Sequence, residues 1–267
     1  MLVAGWWQEL VDLVLSARCA GCGAPGSGLC ARCRQVLRDA RVRPVGGVPG
    51  LPSAYAAGVY ADELRALLLA HKERGALRLA HPLGQTLAGA VRAALAGPGQ
   101  CARTGQGAGA GQPARPEPIP MPGQGAGWAP GAARAAARAG PVLLVPVPSA
   151  RRSVAARGHD PVRRLARAAA SALRSTGVAA RAAAVLCQHR PVADQARLTP
   201  GERHRNLAGA LTVAPGAVRL LGAARAVVVV DDLVTTGASL AEAVRALTAA
   251  GAPCAGAAVV ALAPRPG

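Results

Sequence analysis

The 267-residue sequence has very few aromatic residues: it contains no phenylalanine, and Phe, Trp and Tyr together account for 2% of the chain. Proteins that hold single-stranded nucleic acid by base stacking need aromatic platforms, so the composition argues against that class. The sequence also lacks any apolar run approaching the ~20 residues that a membrane-spanning helix requires. Its length and its 51% hydrophobic content predict a packed core rather than a disulfide-stabilised mini-protein or a disordered chain.

Acidic residues are also scarce, with 13 Asp and Glu against 31 Lys and Arg, which gives a formal charge of +18. Lys72 is the only lysine, and Ala, Gly, Pro and Arg dominate the composition. Such a composition is typical of GC-rich coding sequence, so part of the positive charge is background. The charge is compatible with contact to nucleic-acid phosphates, but the total alone does not assign such a contact.

Residues 1–16 combine apolar side chains at helical spacing with two acids, Glu9 and Asp12, and no Lys or Arg precedes Arg18. A secretory signal begins with positive charge and continues as an unbroken apolar run, so we predict no such signal and a cytoplasmic protein. The spacing predicts an amphipathic helix that packs on the rest of the chain. The alternative, a helix that anchors the protein to a membrane surface or a partner, is weaker because its polar face has no Lys or Arg.

Four of the seven cysteines form two closely spaced pairs, Cys19-x-x-Cys22 and Cys30-x-x-Cys33. Two intervening residues let a tight turn present both thiolates to one cation, and two such turns close a tetrahedron of sulfurs around zinc. Because four cysteines leave no open coordination position, we predict a structural zinc. A redox-active dithiol and an iron–sulfur cluster are the alternatives. The other cysteines are interpreted as incidental or buried thiols: Cys101, Cys187 and Cys254.

The chain divides at a segment without hydrophobic periodicity. Residues 97–140 are dominated by Gly, Pro, Gln and Ala, and such a segment cannot bury enough apolar surface to offset its ordering entropy. We therefore predict a disordered insertion. The predicted organisation is an N-terminal helix with a zinc-ribbon-like four-cysteine module (1–50), a strand and helices of the core domain in which Asp62 caps a helix (51–96), the insertion (97–140), and the main part of the core domain (141–267).

After the insertion, short apolar runs alternate with helical patterns. Strands that consist of continuous Val and Leu runs between helices are typical of a parallel sheet with both faces covered, so the expected fold class is α/β. The predicted strands are 142–145, 181–187, 207–213, 226–230 and 257–262, and the predicted helices are 159–175 and 239–250.

The segment VVVVDDLVTTGAS (residues 227–239) runs from a predicted strand through a turn into a predicted helix. The adjacent carboxylates of Asp231 and Asp232 lie where α/β proteins bind ligands, and they suit the vicinal hydroxyls of a sugar. The helix start offers free backbone N–H groups and a positive dipole end, which favour a phosphate group. An ordinary strand–turn–helix with two solvated aspartates is the alternative. The turn adds three hydroxyl donors and a glycine that permits close backbone approach: Thr235, Thr236, Ser239 and Gly237.

This segment resembles the phosphoribosyl-pyrophosphate-binding loop of type I phosphoribosyltransferases, and the wider layout resembles the ComF family, the competence-associated branch of that superfamily. The resemblance covers most of 1–96 and 141–263, and it departs at Asp160, where the family usually has Asn. It implies a type I phosphoribosyltransferase-like parallel sheet flanked by helices, with a small four-cysteine module. The supporting segments are the cysteine module, VPVPS at 145–149, Arg151, Arg152, RGH at 157–159, and Gln195, Leu198, Glu202, Arg203, Asn206 and Gly209.

The resemblance implies a role for each matching position. Asp231 and Asp232 would hold the 2- and 3-hydroxyls of the ribose, and Mg²⁺ would be bound chiefly by substrate oxygens and water. The turn at 148–152 corresponds to the loop that meets pyrophosphate, which assigns Ser149, Arg151 and Arg152 to that group. The residues that would wrap the 5-phosphate are Thr235, Thr236, Gly237, Ala238 and Ser239.

The charge distribution supports the pyrophosphate assignment independently, because residues 141–206 carry 12 Arg and 3 acids. The planar guanidinium group of arginine can donate hydrogen bonds to two pyrophosphate oxygens at once. For any single arginine, the alternative is a position on a basic surface exposed to solvent. Residues 188–206 have the composition of a mobile loop that can close over a substrate. Thr235 stands where the branch that acts on 6-oxopurines has an acid, so we expect electrostatic stabilisation of departing pyrophosphate rather than strong acid–base catalysis.

Two functions from different classes follow. The first is an enzyme that transfers a phosphoribosyl group from phosphoribosyl pyrophosphate, with Mg²⁺, to an acceptor that the sequence does not identify. The second is a binding protein that keeps the loop without chemistry, as a metabolite sensor or as a partner of competence and DNA-uptake proteins. Weak direct contact with DNA is an expectation under either function.

Overall fold

In the computed structural model, the described residues are 18–26, 28–46, 48, 50–51, 53–97, 140–190 and 200–264. The predicted N-terminal helix (1–16) and nearly all of the predicted insertion (97–140) lie outside them. Within these ranges the strands are β1 Arg43–Pro44, β2 Ala54–Val59, β3 Val142–Pro146, β4 Ala180–Ala182, β5 Leu186–Gln188, β6 Leu211–Val213, β7 Ala226–Val234 and β8 Cys254–Leu262. The helices are α1 Ala31–Arg38, α2 Asp62–Glu73, α3 Ala80–Ala96, α4 Arg151–Arg157, α5 Pro161–Arg174, α6 Pro200–Leu207, α7 Val218–Gly222 and α8 Ala238–Ala249.

Six strands form one sheet in the order β1-β2-β8-β7-β3-β4. All neighbours from β2 to β4 are parallel, and β1 alone is antiparallel, at the edge of the sheet. The strands β5 and β6 form a separate antiparallel hairpin. The predicted fold class, a mainly parallel sheet flanked by helices, is therefore confirmed.

The core lies on both faces of the sheet because β7 alternates its side chains between them. Val228 and Val230 join the apolar cluster that includes α3 and α5, whereas Val227 and Val229 join the cluster formed with α8. All four valines are fully buried. An unbroken valine run thus supplies both faces, as expected for a central parallel strand.

The longest helix of the described residues, α3, packs closely against α5. A methyl group built at Gly84 of α3 would collide with the Cβ of Ala168 and lie 2.8 Å from the backbone nitrogen of Ala169. Only glycine permits this approach, so Gly84 sets the distance between the two helices. No helix among the described residues has the length and apolarity needed to cross a membrane.

The predicted start of α2 was wrong in detail. Asp62 is not the residue before the helix but its first residue, with a φ of 44°, and Ala61 occupies the capping position without a side-chain hydrogen bond. Aspartate tolerates left-handed backbone better than most residues, which suits it to this position.

The predicted strands around the hairpin were also too long. The strand predicted at 181–187 is divided between β4 and β5, which belong to different sheets. The strand predicted at 207–213 is shortened to β6, because α6 continues to Leu207 and Gly209 follows it with a φ of 68°. The loop predicted at 188–206 contains the end of β5 and most of α6, and residues 191–199 lie outside the described residues.

Candidate functional site

The carboxyl ends of the five parallel strands meet at one edge of the sheet. β7 extends four residues past the predicted end at 230, because β8 continues to pair with it as far as Val234 opposite Leu262. Asp231 and Asp232 therefore belong to the last part of the strand. The backbone N–H of Val147, just after β3, donates to the carbonyl of Val230 at 2.9 Å. The chain that leads from β3 to Ser149 thus starts beside the acidic pair.

The acidic pair, Asp231 and Asp232, is largely withdrawn from water. Asp232 is 6% exposed, and its backbone N–H donates to the Oδ1 atom of Asp231 at 2.8 Å. Burial, followed by the neighbouring charge of Asp232, raises the pKa of Asp231 well above its usual range. Two adjacent carboxylates in such surroundings favour a nearby positive charge.

Lys72 supplies that positive charge from α2. Its Nζ atom donates to the Oδ2 atom of Asp232 at 2.7 Å. Burial alone lowers the pKa of a lysine, but the attraction of Asp232 and then Asp231 outweighs burial and raises the pKa of Lys72. Sequence reasoning missed this residue because 160 positions separate the partners; the one signal was that Lys72 is the only lysine of the chain.

The turn between β7 and α8 lies at the start of a 12-residue helix. Gly237 has a φ of 77°, and a side chain there would collide with Val48, so the turn requires glycine. Thr235 is exposed, and the Oγ1 atom of Thr236 accepts a hydrogen bond from Ala238 N–H at 3.4 Å. Within the described residues, the backbone N–H groups of Thr236, Gly237 and Ser239 have no hydrogen-bond partner.

The predicted pyrophosphate turn, residues 148–152, leads from β3 into α4. The Oγ atom of Ser149 lies 3.5 Å from the Oδ1 atom of Asp160, which also accepts a hydrogen bond from Arg163 N–H at 3.1 Å. Asp160 therefore caps the N-terminus of α5, a role that Asn also performs. Arg151 begins α4, and Arg152, the next residue, is exposed.

The end of α2 contacts the last residue of α4 and the segment that follows it. Arg157 Nη1 lies 3.1 and 3.2 Å from the two carboxylate oxygens of Glu73. The Nε2 atom of His159 lies 3.2 Å from the backbone oxygen of His71. His71 is 1% exposed, and burial lowers its pKa, so this histidine is a neutral packing residue. These contacts fix the two residues on either side of Lys72.

The four predicted metal ligands, Cys19, Cys22, Cys30 and Cys33, lie together, with their sulfur atoms all within 4.8 Å of one another. Zn–S bonds of ~2.3 Å place tetrahedral sulfurs about 3.8 Å apart, and the Sγ atoms of Cys22 and Cys30 are 3.6 Å apart. The backbone N–H of Cys30 points at Cys19 Sγ, and that of Cys33 points at Cys30 Sγ. The donor set therefore fits a closed tetrahedral metal site.

The backbone around Cys19 suits a thiolate ligand, whereas burial and then the neighbouring thiols raise the pKa of Cys33 as long as no cation lies between the sulfurs. Burial acts to raise the pKa of Cys19, but the surrounding N–H groups, that of Cys30 first, outweigh it and lower the pKa to about 6. A side chain at Gly21 would approach Cys33 Sγ to 2.7 Å, so glycine is needed for the turn to close around the sulfurs. Helix α1 anchors the cluster to the core through Leu37, whose carbonyl accepts from Thr86 Oγ1 at 3.1 Å.

A recess lies away from the acidic pair, between α1, α3 and the end of α5. It has a volume of about 1210 Å³ and contains no acidic residue among the residues that line it. Its basic side chains are Arg34, Arg38, Arg78, His81 and Arg92.

Comparison with known families agrees with the sheet and the turn. No curated protein matches the chain. Residues 168–266 match the family model of the phosphoribosyl transferase domain, and this segment contains the acidic pair and the turn at 235–239. The match and the mainly parallel sheet together support a type I phosphoribosyltransferase-like protein.

Proposed function

We propose that this protein binds phosphoribosyl pyrophosphate with Mg²⁺ at the carboxyl edge of its sheet. The observation that carries the proposal is the continuity of Asp231 and Asp232 with a glycine turn in which the N–H groups of Thr236, Gly237 and Ser239 have no partner among the described residues. A diol needs paired acceptors and a phosphate needs clustered donors, and the two sets follow each other directly along the chain. The same residues lie inside the matched domain.

We propose the following parts for the ligand, as the resemblance to the ComF family implies them. Asp231 and Asp232 accept hydrogen bonds from the two ribose hydroxyls. Ser149, Arg151 and Arg152 meet the pyrophosphate from the neighbouring strand. The 5-phosphate lies in the turn formed by Thr235, Thr236, Gly237, Ala238 and Ser239.

In the transfer that we propose, the bond between ribose C1 and the pyrophosphate oxygen breaks and its electron pair leaves with pyrophosphate. A lone pair of the acceptor forms the new bond to C1, and the acceptor's proton passes to water. Bound Mg²⁺ would supply charge neutralisation to the pyrophosphate oxygens. The arginine-rich turn at 148–152 stabilises the same leaving group, and the acidic pair orients the sugar.

A second function, binding without transfer, is favoured by one observation. Thr235 is exposed at the position where a phosphoribosyltransferase acting on 6-oxopurines carries an acid, and a threonine hydroxyl does not act as an acid or base at neutral pH. A protein of this kind would serve as a metabolite sensor, or as a partner of DNA-uptake proteins as the ComF resemblance suggests.

The proposal is tested by isothermal titration of phosphoribosyl pyrophosphate and Mg²⁺ into the wild-type protein and Asp231→Asn/Asp232→Asn. We expect binding by the wild type and a loss of at least about tenfold in affinity in the double variant. The matched control is Asp39→Asn, an exposed aspartate of the cysteine module. No binding by the wild type, or equal affinity in the double variant, would reject the ligand. Release of pyrophosphate across a panel of acceptors then separates enzyme from sensor.

We further propose that the four cysteines hold a structural zinc and that the protein works in the cytoplasm, where thiols stay reduced. DNA contact is proposed at the recess lined by Arg34, Arg38, Arg78 and Arg92, which carries no acid among its lining residues. Phosphate contacts weaken steeply with salt, so DNA affinity should fall strongly between low and physiological ionic strength and should persist in Asp231→Asn/Asp232→Asn. Affinity that does not change with salt would exclude this contact.

A further inference from the structure

Lys72 is held at the acidic pair by a part of the chain that the domain match does not include. It lies on α2, before the predicted insertion, whereas the match begins at residue 168. Its ammonium group is directed at Asp232, and the side chain is 36% exposed against 8% for its partner. A free lysine normally remains hydrated in solvent, so this placement requires a local cause.

The cause is the negative charge of two adjacent carboxylates, which attracts the ammonium group of Lys72. Lys72 attracts both Asp232 and Asp231, and both aspartates in turn stabilise its charge. Without this charge, two neighbouring carboxylates in a largely buried position would repel each other or take up another cation. An oxygen-rich pair of this kind is the ligand set that Mg²⁺ and Mn²⁺ prefer.

Both neighbours of Lys72 make contacts outside α2. Glu73 is bound by both carboxylate oxygens to Arg157, and the backbone oxygen of His71 lies 3.2 Å from Nε2 of His159. Lys72 therefore extends toward the acidic pair from the end of a helix whose neighbouring residues contact Arg157 and His159, not from a loop.

We propose that Lys72 is the resident counter-charge of the acidic pair, so that a divalent cation does not occupy this site alone and enters only together with a diphosphate ligand. The identity of that ligand rests on the proposed function, but the exclusion of the lone cation does not. Lys72 is thus a positioning residue: it keeps both carboxylates available to a sugar while preventing a metal ion from occupying them beforehand.

The sole lysine allows a test on the wild-type chain. Acetylation removes the charge of Lys72, whereas reductive dimethylation retains it, and each reagent has the same effect on the charge of the α-amino group as on that of Lys72. The zinc-loaded protein is labelled to completion with each reagent, checked by mass spectrometry, and titrated with Mn²⁺ alone, with free Mn²⁺ measured by electron paramagnetic resonance. We expect the acetylated protein to bind Mn²⁺ at least about tenfold more tightly than the unmodified and dimethylated samples.

Two variants give the same comparison without chemical labelling. Lys72→Gln should gain the Mn²⁺ site and Lys72→Arg should not, because arginine keeps the positive charge. Lys72→Gln/Asp232→Asn should lose the gained site, which assigns it to the acidic pair. Circular dichroism and thermal melting establish that the variants are folded, and the labelled wild type provides the result if Lys72→Gln does not fold.

Equal Mn²⁺ affinity in the acetylated and unmodified proteins would overturn the inference, as would a gain in the dimethylated protein that matches the acetylated one. Neither result affects the titration with phosphoribosyl pyrophosphate, so failure of this inference and failure of the proposed function are separate outcomes. If the sugar ligand does not bind but acetylation creates the Mn²⁺ site, Lys72 retains its role and the ligand assignment is rejected.

Discussion

Glu242 of α8 accepts a hydrogen bond from the backbone N–H of Leu211 in the hairpin, at 2.9 Å. Arg245 completes the contact: its guanidinium lies 2.7 Å from Glu242 and also donates to the carbonyl of Leu211 at 3.0 Å. Glu242 is 5% exposed. Because α8 begins at the turn proposed for the phosphate, this contact joins the hairpin to the helix that carries the candidate site.

Loss of this contact should destabilise the fold. Glu242→Ala leaves the buried N–H of Leu211 without a partner, which costs about 1–3 kcal/mol of unfolding free energy. Chemical denaturation of the variant measures the loss, and Thr248→Ala, an exposed change on the same helix, is the control. An unchanged free energy in Glu242→Ala would show that the contact does not support the helix.

The contact should also depend on pH. Burial acts to raise the pKa of Glu242, but Arg245 and the backbone N–H groups outweigh burial and lower it below the ordinary value of 4.5. A carboxylate with a lowered pKa in the folded state contributes stability that is complete above the unfolded pKa and is lost as the pH falls through the folded pKa. The stability difference between wild type and Glu242→Gln should therefore shrink on acidification below about pH 4.5; a difference that stays constant there would contradict this.

The close approach of α3 and α5 predicts opposite effects at two glycines of one helix. Gly84→Ala forces a methyl group into the backbone of α5, and such overpacking costs about 1–3 kcal/mol. Gly89→Ala meets only Val42, at 3.5 Å, and should stabilise the helix by about 0.4–1 kcal/mol. Thermal melting of both variants distinguishes the two positions, and equal effects would mean that the helices do not pack as described.

The cysteine cluster predicts a stoichiometric metal. Cys22→Ser and Cys30→Ser should each lose one equivalent of zinc and lower the melting temperature, because ligand binding stabilises the folded module. Cys187→Ser is the matched control, since Cys187 is an exposed thiol outside the cluster. Elemental analysis of the purified proteins gives the answer, and full zinc content in both ligand variants would refute the site.

The acidic pair predicts that ligand binding depends on pH. Because the pKa of Asp231 is raised by burial and then by Asp232, this carboxyl takes up a proton at a higher pH than an ordinary aspartate. Only the ionised form offers both oxygens as acceptors to a diol. Affinity for phosphoribosyl pyrophosphate, corrected for ligand ionisation, should therefore fall as the pH is lowered, starting above the usual titration range of aspartate. A profile that is flat down to about pH 4 would contradict this, since ordinary aspartates titrate only near that value.

Local signals were enough to predict the sheet and the cysteine cluster. The valine run of β7 is a pattern within a few residues, and it leads directly to a buried strand. The spacing of the cysteines is equally local, and it brings together the sulfur atoms of Cys19, Cys22, Cys30 and Cys33. The roles proposed for the residues at 231–239 depend on the same kind of local pattern, and they stay predictions until a ligand is seen.

Contacts between distant segments could not be predicted in this way. The pairing of Lys72 with Asp232 depends on how α2 packs against the end of β7, and no pattern near either residue encodes that packing. The extension of β7 depends likewise on how long β8 continues beside it. The position of Gly84 has no local signal because the helix that it contacts, α5, lies beyond the predicted insertion.

The most direct test of the proposed site is a crystal structure of the wild-type protein grown with phosphoribosyl pyrophosphate and Mg²⁺. We predict that the ribose hydroxyls lie within hydrogen-bond distance of the carboxylates of Asp231 and Asp232, and that the 5-phosphate accepts hydrogen bonds from the backbone between Thr236 and Ser239. A ligand bound elsewhere, or a phosphate outside this turn while the acidic pair keeps its contact with Lys72, would contradict the account.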